Sequence, residues 1–148
     1  MLTINGYGSI QDGSLLVMFI SVGSLVAGAM YGNIYNKMKN NSLILFYLIS
    51  AISFIIAALS KSFLLTLLAS FILGYGYLAF VPFLQEKVGV YGNKGTTTLL
   101  VFQSLGSFIA PYFGTLLSNF TNSLNYQFLI AGVCYIVLMF IAYFIKDL

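Results

Sequence analysis

The sequence predicts an all-α membrane protein, a polytopic helical bundle of five transmembrane helices. Three observations predict it. Apolar residues make up 60% of the 148 and charged residues only 6%, against about 25% charged in an ordinary soluble domain. The apolar residues gather into five runs long enough to cross a hydrocarbon core of about 30 Å. Every charged residue lies between or beyond those runs: Lys37, Lys39, Lys61, Lys87, Lys94 and Lys146, with Asp12, Glu86 and Asp147. The net charge of +3 therefore reports topology in a lipid bilayer and not an affinity for nucleic acid.

Residues 1–12, MLTINGYGSIQD, are polar, with no basic residue ahead of the first run, which does not fit a secretory signal peptide. The first span covers about 13–35 and would rise roughly 34 Å as a helix. In it Gly28 and Gly32 stack on one face and leave a groove where a second backbone can approach. Lys37 and Lys39 follow directly, so this end of the helix reaches the cytoplasmic surface. A turn of a few residues leads to the second span, about 42–59, expected as an antiparallel neighbour of the first. Past Lys61, the third span covers about 63–84 and carries Gly74, Gly76 and Pro82. A polar link, QEKVGVYGNKG, separates it from the fourth, about 96–117. An asparagine-rich loop, SNFTNSLN, leads to the fifth, about 126–145, which ends in Lys146 and Asp147.

Five spans put the two termini on opposite sides. Lys37, Lys39, Lys87, Lys94 and Lys146 then share one side and Lys61 alone the other, so the lysine-rich side is inside. Residues 1–12 become an extracytoplasmic segment, and the carboxy terminus is cytoplasmic in a plasma (cytoplasmic) membrane. An outside amino terminus without a signal is normally delivered by a preceding helix. One further span upstream is therefore expected, giving a six-helix unit with both ends inside.

The chain has no histidine and no arginine, and no acid falls inside an apolar run. Cys134, between Val133 and Tyr135, is the only cysteine and reads as a buried small hydrophobe. The composition offers no material for acid–base catalysis, a metal site or a disulfide, so neither an enzyme nor a cofactor is expected.

The segment GNIYNKMKNN resembles a degenerate copy of the cytoplasmic-loop signature of the major facilitator superfamily of transporters. Gly32, Ile34 and Lys37 fit it, while Asn36 stands where the signature has an acid and Lys39 where it has a second glycine. The stretch QSLGSFIAPYFGTLL, with Gly106, Pro111 and Gly114, is similar to the eleventh helix of that family, and GYGYLAFVP to the tenth. In order and loop pattern the chain resembles the carboxy-terminal half, from the eighth to the twelfth helix. The resemblance implies transport of a small solute by alternating access, with drug-like efflux as one form of it. It also implies partnership with a missing amino-terminal half or a second copy. Lys37 and Lys39 then read either as gate residues or as topology determinants. Pro111, which cannot donate to the Ser107 carbonyl, should bend its helix.

Such a transporter would hold its solute near mid-membrane, where this chain places Tyr75, Tyr77, Gln103 and Ser107, with Ser21 and Ser24 on the first span. Gln103 has two readings, a cavity lining or a plain interhelical hydrogen bond. Tyr75 and Tyr77 read as core packing or as cavity lining, and Ser50, Ser53 and Ser70 as hydroxyls bonded to their own helix carbonyls. The rival to transport is a small structural or assembly protein that binds another membrane protein.

Overall fold

The computed structural model describes residues 10–121 and 124–145. They form five helices: α1 (Ile10–Met38), α2 (Asn41–Leu59), α3 (Phe63–Gly89), α4 (Gly92–Thr121) and α5 (Leu124–Ile145). Each holds a stretch long and apolar enough to cross a membrane, and the described residues contain no strand.

Helix ends are where the structure departs from the apolar runs. Residues 10–12 belong to α1 and not to a separate segment. The rest of residues 1–12, with Lys146 and Asp147, lies outside the described residues. The polar link is almost wholly helical, since α3 continues through Gln85, Glu86 and Lys87 to Gly89 and α4 begins at Gly92. Polar side chains do not stop the backbone from closing its i to i−4 bonds. The reversal waits for Gly92, whose φ of +64° is a left-handed conformation open to a residue without Cβ. The asparagine-rich stretch is likewise helical up to Thr121 and again from Leu124. Both α3 and α4 run on through their internal prolines, Pro82 and Pro111.

The first turn is tight. Lys39 sits at φ +47°, its N–H donates to the Tyr35 carbonyl at 2.7 Å, and its own carbonyl accepts from Ser42 N at 3.0 Å and Ser42 Oγ at 2.6 Å. The second turn is capped by Ser62, whose hydroxyl accepts from Leu65 N at 3.3 Å.

Helices α1 and α3 run parallel and touch backbone to backbone. A Cβ on Gly23 would strike the Phe71 carbonyl oxygen, and one on Gly74 the Ile20 carbonyl oxygen. Ser24 Oγ donates to the Ile20 carbonyl at 2.7 Å and lies 3.3 Å from the Gly74 carbonyl. Ala27, 1% exposed, continues the stripe one turn on. The close approach expected at Gly28 and Gly32 is therefore made by Gly23 and Ala27 instead. Gly28 and Gly32 are exposed, with nothing near the space a Cβ would fill. A single residue step turns the face by about 100°, which separates the two stripes.

On its other side α3 packs antiparallel to α2. Ser53 Oγ donates to the Ala69 carbonyl at 2.6 Å, Gly76 abuts Ser50, and the Tyr47 and Phe80 rings lie 5.8 Å apart. Ser50 and Ser70 bond their own helix carbonyls as expected, whereas Ser53 crosses to α3. Helix α3 thus takes the place beside α1 expected for α2. The consecutive pair α1 and α2 meets mainly near the turn, where Tyr31 stacks on Phe46 at 6.3 Å. On the far side of α2, α5 brings Gly132 against Ala51 and Ile55, and Tyr135 against Phe54 and Tyr47 at 5.3 and 6.1 Å. The core is accordingly a row in the order α1, α3, α2, α5. Cys134 is exposed and not buried, because α5 turns only one face to α2.

Helix α4 stands apart from that row. None of its residues is buried, it is the least apolar of the five by mean hydropathy, and it touches only the flanks of α3 and α5. With α1 and α3 parallel, Lys37, Lys39, Lys87 and Lys94 fall at one end of the bundle and Lys61 at the other.

Candidate functional site

The shallow seating of α4 against α3 leaves a groove of about 380 Å³ between them. Residues three and four apart on each helix line it, as one face of a helix requires. From α3 come Tyr77, Phe80, Val81 and Leu84, and from α4 the aliphatic Leu99, the ring of Phe102 and the small pair Gly106 and Ala110. Gln103 and Ser107, one turn apart on α4, add the polar groups. Tyr77 meets Phe80 edge to face at 5.4 Å, so two rings form one wall and Phe102 stands on the other. No lining residue is charged.

The polar groups differ in what they still offer. Ser107 Oγ donates to the Gln103 carbonyl one turn back at 3.0 Å, so its proton is already used and its lone pairs remain. Among the described residues nothing bonds the Gln103 side-chain amide or the Tyr77 hydroxyl. An amide carries two donors and two acceptor lone pairs, and Gln103 is among the residues that line the groove.

The structure thus brings together three of the six residues picked for depth and polarity, Tyr77, Gln103 and Ser107, and leaves out Tyr75, Ser21 and Ser24. Tyr75 faces α1, its hydroxyl 4.0 Å from Met30 Sδ, and packs on the small core of Ala27, Phe46 and Ala79. Ser21 donates to the Val17 carbonyl on an exposed face. Ser24 sits in the α1–α3 contact. Of Gly106, Pro111 and Gly114, Gly106 lines the groove, while Gly114 and Pro111 lie outside it, with open space at both of these glycines. The apolar lining, from Phe80 to Ala110, escaped sequence reading. Depth along a helix is legible from residue number, but rotation about its axis is not when every face is apolar.

A second polar cluster lies at the lysine-bearing end. Tyr31 donates to the Glu86 carboxylate at 3.1 Å, and Tyr35 stacks on Tyr31 at 5.6 Å and meets Phe83 edge to face at 6.0 Å. Lys87 Nζ lies 5.7 Å over the Phe83 ring. Glu86, expected in a loop, is thus on the last turns of α3 and joins α3 to α1. Asn36, Lys37 and Lys39 are exposed beside it. No group of three or more potential metal ligands occurs among the described residues.

No protein-family model matches the chain, and neither does any curated protein or solved structure.

Proposed function

We propose that the chain is part of a facilitator-type secondary transporter that moves a small solute across a plasma membrane by alternating access. In this reading the groove between α3 and α4 is this chain's share of the solute site. The observation that carries the proposal is a groove of about 380 Å³, within the range of about 300–1,000 Å³ typical of ligand sites. Its unpartnered amide, Gln103, lies near the middle of a helix long enough to span a bilayer. Lys39 lends support, because it holds a positive φ where the facilitator signature has glycine. The remaining wall of the site would come from an amino-terminal half or a second copy set against α4. The lysine-bearing end faces the cytoplasm in this reading.

Substituted-cysteine labelling tests it. In a Cys134→Ala background, Gln103→Cys and Ser107→Cys are expected to react with a membrane-impermeant thiol reagent, and a transported solute should slow the reaction. A second reading, an assembly protein that only grips another membrane protein, is favoured by the absence of any buried residue on α4. It predicts that both cysteines stay unreactive. The purified chain alone in vesicles is expected to give no solute flux, and flux without a complementary chain would count against the half-site.

A further inference from the structure

We propose that the groove between α3 and α4 selects an uncharged, multi-ring molecule that presents a strong hydrogen-bond acceptor and arrives sideways from the bilayer. The proposal rests on the transport reading for its consequence, but the binding itself is a separate property of the groove. Charge is the first argument. None of the lining residues is ionisable in the neutral range, Lys94 precedes the α4 lining by more than a turn, and Glu86 and Lys87, just past Leu84 on α3, are engaged with Tyr31 and the Phe83 ring. An ion entering would lose its hydration and find no counter-charge, a loss that contacts with Tyr77, Phe80 and Phe102 would offset only in part. Shape is the second argument. Two rings on one wall and one on the other leave space for stacked or edge-on rings.

Hydrogen bonding gives the polarity of the ligand. Ser107 has already donated its proton to the Gln103 carbonyl. The donors left over are the Gln103 amide N–H groups and the Tyr77 hydroxyl, which suit an acceptor such as a carbonyl or phosphoryl oxygen, while the Gln103 amide oxygen and the Ser107 lone pairs remain as acceptors. Position gives the route. On α3 the lining runs from Tyr77 to Leu84 and on α4 from Leu99 to Ala110, so the groove extends from mid-helix toward the lysine-bearing end. Phe102, at its mouth, is 68% exposed on a helix with no buried residue. With the chain by itself in a bilayer, as in the test below, the opening therefore faces the acyl chains of the leaflet on that side.

Two probes of closely matched shape test this: triphenylphosphine oxide, neutral with one strong acceptor, and methyltriphenylphosphonium, a cation in which a methyl group stands in place of the oxygen. With the full chain in lipid nanodiscs, radiolabelled oxide is expected to bind saturably above empty discs. The cation is expected to bind at least about tenfold more weakly, because the site offers it no counter-charge. Gln103→Leu should weaken oxide binding about tenfold by removing the donor. Gln103→Glu should reverse the preference toward the cation. Gly106→Leu, which fills open space, should abolish both. Equal or tighter binding of the cation to the native chain would overturn the proposal. So would unchanged oxide affinity in Gln103→Leu, or no saturable oxide binding. Oxide binding without solute movement in vesicles, even with a complementary chain present, would remove the transport reading and leave the groove's selectivity. Movement of charged solutes by a chain that does not bind the oxide would do the opposite.

Discussion

Lys39 holds a left-handed φ of +47° because the first turn needs that geometry to point its carbonyl at both polar hydrogens of Ser42. A residue with Cβ is strained there and glycine is not. Lys39→Gly is expected to raise stability by about 0.5–1 kcal/mol, the usual size of a conformational gain at a compatible glycine site, read as a higher unfolding midpoint in detergent. Ser53 makes a different kind of contribution. Its hydroxyl is 1% exposed and donates across to the Ala69 carbonyl at 2.6 Å. Ser53→Ala should therefore cost about 0.6 kcal/mol, and up to about 1.7, as interhelical bonds in lipid do. Ser50→Ala, whose hydroxyl bonds only its own helix, should cost less in the same assay.

At the scale of elements, the glycines sort by what stands opposite them. Gly74→Ala puts a methyl group into the Ile20 carbonyl and is expected to destabilise the α1–α3 pair by at least the 1–3 kcal/mol of an overpacked core, roughly. Gly28→Ala meets nothing and should stabilise α1 by about 0.5–1 kcal/mol, since glycine is the poorer helix former. If both substitutions lowered the midpoint equally, the α1–α3 contact would not be where the structure has it. The same comparison shows what was legible beforehand. That helices exist at these five places follows from runs such as SLILFYLISAISFIIAAL, which can be nothing else at that length and hydropathy. Which small residues touch was not legible, because Gly23 and Ala27 have the same spacing as Gly28 and Gly32. Only the partner stripe on α3, centred on Gly74, distinguishes them. The long third and fourth helices were hidden for a related reason. Gln85, Glu86 and Lys87 look like a loop by polarity, but leaving the hydrocarbon is not a signal to stop a helix. For the groove, the polar members stood out as exceptions within apolar runs, whereas Phe80, Leu84 and Phe102 resemble every other apolar residue of the chain.

For the whole molecule, the sorting of lysines makes a prediction about sidedness. Lys37, Lys39, Lys87 and Lys94 occupy one end and Lys61 the other. In a Cys134→Ala background, Lys61→Cys is expected to react with an impermeant thiol reagent on intact cells. Lys94→Cys should react only after permeabilisation. The opposite pattern would invert the proposed orientation and place the groove toward the outer leaflet. The unequal seating of the helices bears on motion as well. Gly23 and Gly74 bind α1 to α3 as one stiff post, with α2 and α5 pinned beside it by hydroxyl and ring contacts. The remaining long helix is joined to the row by short connections at both ends, Val90 and Tyr91 before Gly92 and two residues between Thr121 and Leu124. Among the described groove residues no side-chain hydrogen bond joins α3 to α4, so tilting α4 there breaks none and exposes little that acyl chains would not wet equally well. The slot beside Gln103 is thus the part of the protein whose width can change at the least energetic expense, while the post keeps its shape.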